Sequence, residues 1–386
     1  MLLELTSDQE FFRETTARYL AERAPVGELR RLRHDPAGFD AAYWRGGAEL
    51  GWTSLLVSER HGGGSISGDP LVDLTLIAHE FGAHAAPGPL VATNVVAAAL
   101  SAADGDGGDA ARPDRDALVA GLVAGEAIAS WAYSEPAPSD RPGTVELTVR
   151  PDGSDVVLDG VKRPVESAAA ASHLLVTGRT GEGLTQVLVP TDAPGVTIEP
   201  LRSVDLTRRF ATVRFAGVRA PAAAVVGEIG GAAEAVRRQL QLALVLLDAE
   251  AVGAMQRAFD MTVEWAFDRY SFGRPLASYQ ALKHRFADMK TWLEASHAVS
   301  DAAAAAVQAG APEADELVSA ARAYIGDRGS ELLQDCVQLH GGIGVTFEHD
   351  LHLFLRRHTV NRTLFGTPAD HRQRVADIVV ERERAA

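Results

Sequence analysis

The pattern of hydrophobic and polar positions divides the chain into three consecutive parts. In the first part, apolar residues recur at the spacing of an amphipathic helix. The residues predicted to form the buried stripe of the first helix are Phe11, Phe12, Tyr19 and Leu20. Ser7 and Glu10 have the spacing of a capping box at its start. With further helical stretches, one of them over residues 71–84, the pattern predicts an N-terminal helical domain over residues 1–125.

The second part changes to the alternating pattern of β-strands. Residues 145–149 and 156–161 alternate between apolar and polar positions, and short apolar runs follow them. Asp159 and Gly160, a common pair in two-residue hairpins, are predicted to turn the chain between two strands. Residues 126–228 are therefore predicted to form a small antiparallel β domain.

After Gly230 the strand pattern ends, and long segments rich in Ala, Leu, Glu and Arg follow. Helices are predicted over residues 233–267, 279–309 and 312–340, with two shorter ones towards the C-terminus. Helices of this length joined by short turns are typical of an antiparallel bundle, predicted here over residues 229–386. We therefore expect an α+β multidomain protein with the order helices, β domain, helical bundle.

The overall charge is strongly negative, because 37 Lys and Arg side chains face 52 Asp and Glu side chains, for a net charge of −15. Such a chain is not attracted to nucleic acid or to an anionic membrane surface, so neither is expected as a partner. Cys336 is the single cysteine, which excludes an intramolecular disulfide, and no metal-site spacing occurs. Without a long apolar run or a secretion signal, a soluble cytoplasmic protein is expected.

Two stretches differ from ordinary helix sequence. Arg269 lies where the first long helix ends, and Gly341 and Gly342 lie between two helices in residues 338–346. Both stretches suit a dinucleotide, because an arginine at a helix end pairs with a diphosphate and glycines let backbone N–H groups approach one closely. On spacing alone, the favoured interpretation is simpler: a glycine that ends a helix and a structural ion pair.

Taken together, these stretches resemble the acyl-CoA dehydrogenase family, and the resemblance extends along nearly the whole chain. The segments that carry it are residues 48–52, 134–136, 158–162, 269–289, 338–346, 351–357 and 365–367. The resemblance implies an N-terminal helical domain, a middle antiparallel β barrel and a C-terminal four-helix bundle. It also implies FAD as the cofactor, an acyl-CoA substrate, and a second subunit that shares each FAD site.

For the FAD of the chain itself, the resemblance assigns three residues by position. The flavin is expected to lie along Trp131 and Ser134, and Thr367 is expected to touch the cofactor. Two features depart from the family. Glu166 replaces a threonine that bonds to flavin N5, and a carboxylate there disfavours the anionic reduced flavin. The family's phosphate-binding loop is shortened to residues 134–140.

For the FAD of a neighbouring chain, the resemblance assigns four further residues. Arg269 and Phe272 are expected to contact the diphosphate and adenine of the partner's FAD. Gln338 and Gly342 are expected to hold that same FAD. Two chains, either identical or paralogous, are therefore expected to form each complete site, giving a dimer or a dimer of dimers.

The implied reaction is the α,β-dehydrogenation of an acyl-CoA thioester to the trans-2-enoyl-CoA, which needs a carboxylate to remove the α proton. The family's two locations for this base are occupied here by Phe365 and Ala243, neither of which accepts a proton. Glu250 is about two helical turns from Ala243 on nearly the same face, which makes it a candidate. Because its axial offset is about 10 Å, the default interpretation of Glu250 is a structural or exposed carboxylate.

Three functions stay open at this point. The first is an FAD-dependent acyl-CoA dehydrogenase that passes electrons to an electron-transferring flavoprotein. The second is a non-catalytic subunit of a heteromeric dehydrogenase, which completes the FAD and acyl-CoA sites of a partner. A flavoprotein oxidase or monooxygenase has the least support, because nothing marks an oxygen site.

Small residues between Ala243 and Ala254 indicate space for a bulky acyl chain.

Overall fold

The N-terminal part of the chain is helical, as predicted. In the computed structural model, which describes residues 4–103, 113–136 and 144–385, its helices are α1 (Ser7–Arg23), α2 (Ala41–Glu49), α3 (Pro70–Ala83), α4 (Leu90–Ala102) and α5 (Pro113–Val123). A 3-10 helix, Val26–His34, follows α1. Helix α3 begins and ends one residue away from the predicted segment.

Two details of α1 differ from the prediction. The capping box is formed by Thr6 and Gln9: the Thr6 hydroxyl accepts from the Gln9 N–H at 3.2 Å, and Gln9 Oε1 accepts from the Thr6 N–H at 3.1 Å. Leu20 is fully buried, whereas Phe11 is 68% exposed. Phe12 is half-buried against the core, and Phe11, about 100° further round the helix, lies outside the buried stripe.

The middle part forms one eight-stranded sheet. Its strands are β1 (Ala129–Ala132), β2 (Thr148–Asp152), β3 (Asp155–Glu166), β4 (His173–Arg179), β5 (Leu184–Pro190), β6 (Val196–Leu201), β7 (Phe210–Pro221) and β8 (Val225–Val226). The pairing order is β6-β7-β3-β2-β4-β5-β8, and β1 pairs with β4. One face buries an apolar core whose central residues include Leu158, Val176, Val187 and Val213.

The expected antiparallel barrel is wrong on two points. The sheet is mixed, because β4 pairs in parallel with both β1 and β2. It is also open, since β6 and β8 end the pairing order of the described strands without pairing to each other. A connection that brings β1 beside β4 in parallel cannot be a tight hairpin, and the local alternating pattern carries no sign of it.

The predicted hairpin turn at Asp159 and Gly160 is also wrong. Strand β3 runs through both residues and carries an irregularity in register beside Gly160. A side chain at Gly160 would come within 2.9 Å of Leu147 Cα, so this glycine serves a close approach of two backbone segments. The turn between β2 and β3 lies instead at Gly153, whose φ is +65°.

The C-terminal part contains the three long helices that were predicted, with bounds within about two residues. They are α6 (Ala233–Asp268), α7 (Gln280–Gln308) and α8 (Ala314–His340), followed by the shorter α9 (Leu351–Asn361) and α10 (Pro368–Ala385). Between α6 and α7, strands β9 (Tyr270–Ser271) and β10 (Arg274–Pro275) form a small hairpin. The division of the chain into three domains stays a prediction.

One hydrophobic core connects the N-terminal helices with the C-terminal helices. Leu20, Phe81, Leu246 and Leu333, from α1, α3, α6 and α8, all belong to it and are at most 1% exposed. The two helical parts are therefore stabilised together, and the sheet has its own second core.

Helices α3 and α6 approach each other at two glycines. A Cβ atom at Gly82 would lie 1.8 Å from the Glu250 carbonyl oxygen, and one at Gly253 would lie 1.9 Å from the His79 carbonyl oxygen. Ala243 and Ala254 on α6 are 0% exposed. The small residues of this segment therefore allow close helix packing, and the space that we expected them to leave for an acyl chain is filled by protein.

We predict that Gly253→Ala destabilises the protein, because the added methyl group forces the backbones of α3 and α6 apart. The expected loss in the free energy of unfolding is about 1–3 kcal/mol, measured by urea denaturation. Gly27→Ala is the matched control, since nothing lies within 4 Å of a Cβ atom there. Equal stability of the two variants would contradict the proposed role of the glycine contact.

Candidate cofactor and substrate site

A narrow cleft lies where the sheet, α4, α6 and the turn after α9 meet. Its lining includes five residues singled out from the sequence, namely Trp131, Ser134, Glu166, Ala243 and Phe365. The structure therefore brings together the predicted flavin neighbours and both positions expected for the base. Leu364, Phe210 and residues of α4 complete an otherwise apolar wall.

Phe365 fills much of this cleft. Its ring stacks on Trp131 with a centroid distance of 5.5 Å and lies 6.2 Å from the ring of Tyr133, which itself stacks on Trp131 at 4.8 Å. Phe365 has a φ of +59° and Gly366 a φ of +115°. A left-handed backbone is rare for an aromatic residue, so the turn holds this ring against Trp131 at a cost in backbone strain.

The cleft does not fit a flavin. Its volume is about 20 Å³, which is room for one or two water molecules. Small-molecule sites generally measure about 300–1,000 Å³. The ring of Phe365, at an expected position of the base, is in direct contact with Trp131, the expected neighbour of the flavin.

Both carboxylate oxygens of Glu166 are engaged by a buried arginine. Arg208 Nε and Nη2 donate to the two Glu166 oxygens at 2.7 and 2.6 Å, which makes a bidentate ion pair. Burial alone would lower the pKa of Arg208, but the neighbouring carboxylates Glu166 and Glu250 raise it above the usual value. The guanidinium therefore stays charged and keeps Glu166 paired.

Glu250 is engaged on both of its carboxylate oxygens. Oε1 pairs with Arg357, and Oε2 accepts from Asn361 at 2.9 Å and lies 3.4 Å from Arg208. The residue is only 5% exposed and does not line the cleft. Of the two default interpretations, this geometry agrees with a structural carboxylate and not with an exposed one, and it leaves neither oxygen free for a substrate.

Asp248, two residues earlier on α6, is another buried carboxyl group near this region. Burial raises its pKa to about 6, although Arg322, which donates to it at 2.9 Å, opposes the shift. Arg322 also donates to the carbonyl oxygens of Asn361 and Leu364. The pair thus supports the turn that carries Phe365, and Asp248 does not line the cleft either.

The segment that carries Ser134 is fixed by a buried lysine. Lys162 Nζ donates to Glu135 Oε1 at 2.7 Å and to the Tyr133 carbonyl oxygen at 2.8 Å. Burial lowers the pKa of Lys162 to about 8, and the Glu135 carboxylate opposes this shift. Two sequence segments used for the resemblance therefore meet in one structural contact. The end of the predicted phosphate-binding loop, from residue 137, lies outside the described residues.

Thr367 has a local structural role. Its hydroxyl donates to Asp370 Oδ2 at 2.6 Å and accepts from the Asp370 N–H at 3.3 Å, which caps the start of α10. Hydrogen bonds from Thr367 lower the pKa of the Asp370 carboxyl. Thr367 is exposed and does not line the cleft, so its expected contact with the cofactor stays a prediction.

The four residues assigned to a neighbouring chain's FAD lie at one end of the helical bundle. Trp265 at the end of α6 stacks on His340 at the end of α8, with ring centroids 5.3 Å apart. This contact joins the segment of Arg269 and Phe272 to the segment of Gln338 and Gly342. We call the four residues the bundle-end set; all four are exposed.

Phe272 stands out within this set. It is 98% exposed and has a φ of +51° at the tip of the β9–β10 hairpin, next to Gly273 with a φ of +80°. Gly341, by contrast, ends α8 with a φ of +64°, which fits the simple capping interpretation for that glycine.

The bundle-end set is far from the cleft of its own chain. Helix α6 runs continuously from Ala243 to Asp268, the residue before Arg269, which is a rise of roughly 38 Å at 1.5 Å per residue. The flavin and adenine of FAD are joined by about a dozen bonds that each add roughly 1.3 Å, so one molecule cannot reach both places.

A much larger cavity of about 830 Å³ lies beside the cleft. Ala98 and Ala99 of α4 line it about one turn beyond the residues of α4 that line the cleft, and Leu242 of α6 lines it next to Ala243. On its polar side, Gln186 and Gln239 exchange hydrogen bonds of 2.6 and 2.9 Å. Sequence reasoning missed this cavity, because its walls come from segments that are distant in sequence.

Within the described residues, no helix is long and apolar enough to cross a membrane. In that same part of the chain, no group of three or more His, Cys, Asp or Glu side chains is placed to bind a metal ion.

Comparison with known proteins matches these features to one family. Residues 6–106 match the N-terminal domain of acyl-CoA dehydrogenases, and residues 230–380 match the C-terminal domain. Acyl-CoA dehydrogenase IpdE2 of Mycobacterium tuberculosis is 30% identical over 376 residues, covering 97% of this chain and 98% of that protein. The chain therefore belongs to the acyl-CoA dehydrogenase family, whose members are oxidoreductases acting on acyl-CoA.

Other relatives differ in length and in what they bind. Acyl-CoA dehydrogenase FadE34 of M. tuberculosis is 32% identical over 95% of this chain, which spans 47% of that protein. The solved steroid acyl-CoA dehydrogenase Tcur3481-Tcur3483 is 26% identical with a TM-score of 0.86, covering 98% of this chain and 99% of the other. A glutaryl-CoA dehydrogenase of Mycobacterium smegmatis in complex with FADH2 shares the fold, with a TM-score of 0.85 at 20% identity and coverage of 97% and 95%.

Proposed function

We propose that this chain is the subunit of an acyl-CoA dehydrogenase assembly that completes the FAD and acyl-CoA site of a partner chain. The observation that carries the proposal is the filled cleft, in which Phe365 stacks on Trp131 and leaves about 20 Å³. The assembly performs α,β-dehydrogenation of an acyl-CoA, and the catalytic carboxylate is supplied by the partner.

The absence of a usable base in this cleft supports the same division of roles. Phe365 and Ala243 occupy the two expected base positions, and Glu250 is bound on both oxygens by buried partners. Proton abstraction from carbon needs a carboxylate within hydrogen-bond reach of the substrate. None of the described cleft residues provides a carboxylate free of an ion pair, since Glu166 is held by Arg208.

The bundle-end set supports a role towards a partner. Arg269, Phe272, Gln338 and Gly342 are exposed together at one end of the bundle, too far from their own cleft to serve it. An arginine fork suits a diphosphate, and an exposed aromatic ring suits an adenine. FAD bound by the partner is the cofactor that these groups fit.

The nature of the relatives supports a two-chain assembly. The name of the steroid enzyme joins two designations, Tcur3481 and Tcur3483. FadE34 is about twice as long as this chain. A steroid-derived acyl-CoA is the substrate class to test first, and the 830 Å³ cavity has room for a bulky ligand. As in the resemblance, an electron-transferring flavoprotein is the proposed electron acceptor.

The visible absorption spectrum tests this function directly. We expect the chain purified alone to lack flavin bands, because its cleft is filled by aromatic side chains. Co-expressed with a paralogue encoded nearby in the genome, it should purify with one FAD for each pair of chains. One FAD per chain in the protein purified alone would contradict the proposal.

Arg269→Gln should weaken FAD binding in the co-expressed assembly. A hydrogen bond to a charged group contributes about 1.5–3 kcal/mol, so the dissociation constant of FAD should rise about 10- to 100-fold. Fluorescence of released flavin measures the change. Arg150→Gln is the control, because this arginine is 64% exposed on β2. Unchanged affinity in Arg269→Gln would remove this residue from the shared site.

Glu250→Gln should lower stability and leave catalysis intact. Removing the carboxylate takes a charged partner from Arg357, Arg208 and Asn361, although Asp205 and Glu166 still pair with the two arginines. The expected loss in the free energy of unfolding is about 1.5–3 kcal/mol, seen as a lower melting temperature. Flavin reduction by acyl-CoA in the assembly should keep its rate. Glu264→Gln, an exposed change on the same helix, should alter neither quantity. A stable Glu250→Gln assembly that no longer reduces flavin would identify Glu250 as the base.

A further inference from the structure

A second large cavity, of about 720 Å³, lies apart from the 830 Å³ cavity and shares no lining residue with it. It is formed by the end of the 3-10 helix Val26–His34, by the loop between β6 and β7, and by Phe347 and Arg356 from the region of α9. Five arginines line it: Arg33, Arg202, Arg208, Arg209 and Arg356. We call this space the arginine cavity.

The lining contains one carboxylate, and that carboxylate is already neutralised. Asp205 pairs with Arg357 at 2.5 Å. Among the five arginines, Arg208 is neutralised as well, by Glu166 and Glu250. The net positive charge of the cavity therefore comes from the other four arginines, Arg33, Arg202, Arg209 and Arg356.

None of these four forms an ion pair within the described part of the chain. Arg209 donates to backbone carbonyl oxygens, among them those of Asp35 at 2.8 Å and Leu206 at 3.0 Å. Arg356 donates to the Val204 carbonyl oxygen at 3.1 Å and to His352 Nδ1 at 3.2 Å. Carbonyl and imidazole acceptors orient a guanidinium without cancelling its charge.

Arg33 and Arg202 complete the positive surface at the solvent side. Both are exposed, and Arg33 lies over the Phe347 ring at 5.8 Å. Arg202 makes no hydrogen bond or ion pair with the residues that the structure describes. Its side chain is thus available to a ligand at no cost in internal contacts.

Carboxylates near the cavity are occupied by other groups. Asp350 pairs with Arg30 at 2.5 Å. Asp35 accepts from the backbone N–H groups of Ala37 and Gly38 at 2.8 Å. Burial lowers the pKa of Arg209, and the charges of Asp35 and Asp205 oppose this shift. A concentration of unpaired arginines is notable in a chain with a net charge of −15.

We propose that the arginine cavity binds an organic diphosphate, the group shared by nucleoside diphosphates and coenzyme A. Guanidinium forks match phosphate oxygens in a bidentate way. Four of them line this cavity, and its one carboxylate, Asp205, is held by Arg357. Leu201, Val204, Leu206 and Phe347 give the same cavity an apolar wall for the organic part of the ligand. A volume of about 720 Å³ lies within the range of small-molecule sites.

This site is distinct from the proposed shared FAD site. Its lining contains none of the bundle-end set and none of the cleft residues. The proposal therefore does not depend on the function proposed above, and the two can fail separately.

Isothermal titration calorimetry of the full chain with ADP at low salt tests the site. Arg202→Gln and Arg356→Gln should each raise the dissociation constant of ADP about 10-fold or more, because each removes a charged hydrogen bond to phosphate. Adenosine should not bind, and added salt should weaken ADP binding. Arg150→Gln, on the exposed surface of β2, should bind ADP like the unaltered chain.

The source of the diphosphate is distinguished by repeating the titration with coenzyme A. If coenzyme A binds more tightly than ADP does, and if Arg202→Gln weakens this binding, the site is assigned to coenzyme A. If ADP binds more tightly than coenzyme A does, the site is assigned to a free nucleotide. Arg202→Gln changes no internal contact, so its melting temperature should match that of the unaltered chain. The proposal is overturned by undetectable ADP binding, by adenosine binding as tightly as ADP, or by equal losses in Arg150→Gln.

Discussion

The structure depends on a buried group of charges centred on Glu250. Arg357 joins this carboxylate to Asp205, and Arg208 joins it to Glu166. These side chains come from α6, α9, β3 and the loop before β7, so the group connects the sheet to the helical bundle. Arg357 also donates to the Ala86 carbonyl oxygen at 2.9 Å, which adds the N-terminal helices. Buried charges are tolerated only when they are paired in this way, and the pairing therefore fixes how the three parts meet.

This arrangement has a direct consequence for chemistry. Protonation of Glu250 would remove a negative charge that faces two buried guanidiniums, so this carboxylate is poorly placed to accept a proton from a substrate. The same reasoning applies to Glu166, whose two oxygens are taken by Arg208. The aromatic stack of Phe365 on Trp131 then fills the remaining space. Charge pairing and aromatic packing together make this region a structural junction.

The sequence predicted the long elements well and the long-range contacts poorly. The periodicity of residues 233–340 placed three helices within about two residues of their ends, because a pattern sustained over many turns averages out local noise. The parallel pairing of β1 with β4 and the strand through Gly160 depend on distant partners and were missed. For the site, the resemblance pointed to Trp131, Ser134, Ala243 and Phe365, and the structure places all four in one cleft. The small volume of this cleft depends on side-chain packing that no local pattern encodes.

The exposed end of the bundle links the filled cleft to the need for a partner. A phenylalanine that is 98% exposed in a left-handed conformation costs backbone strain of about 1–3 kcal/mol and loses the benefit of burying its ring. No described contact within the chain compensates for this cost. Burial of Phe272 against the adenine of a neighbouring chain's FAD would recover the burial term and so offset the strain, which persists as long as φ stays positive. The division of roles proposed above, in which this chain contributes to a partner's cofactor site, accounts for both the exposed hairpin and the narrow cleft.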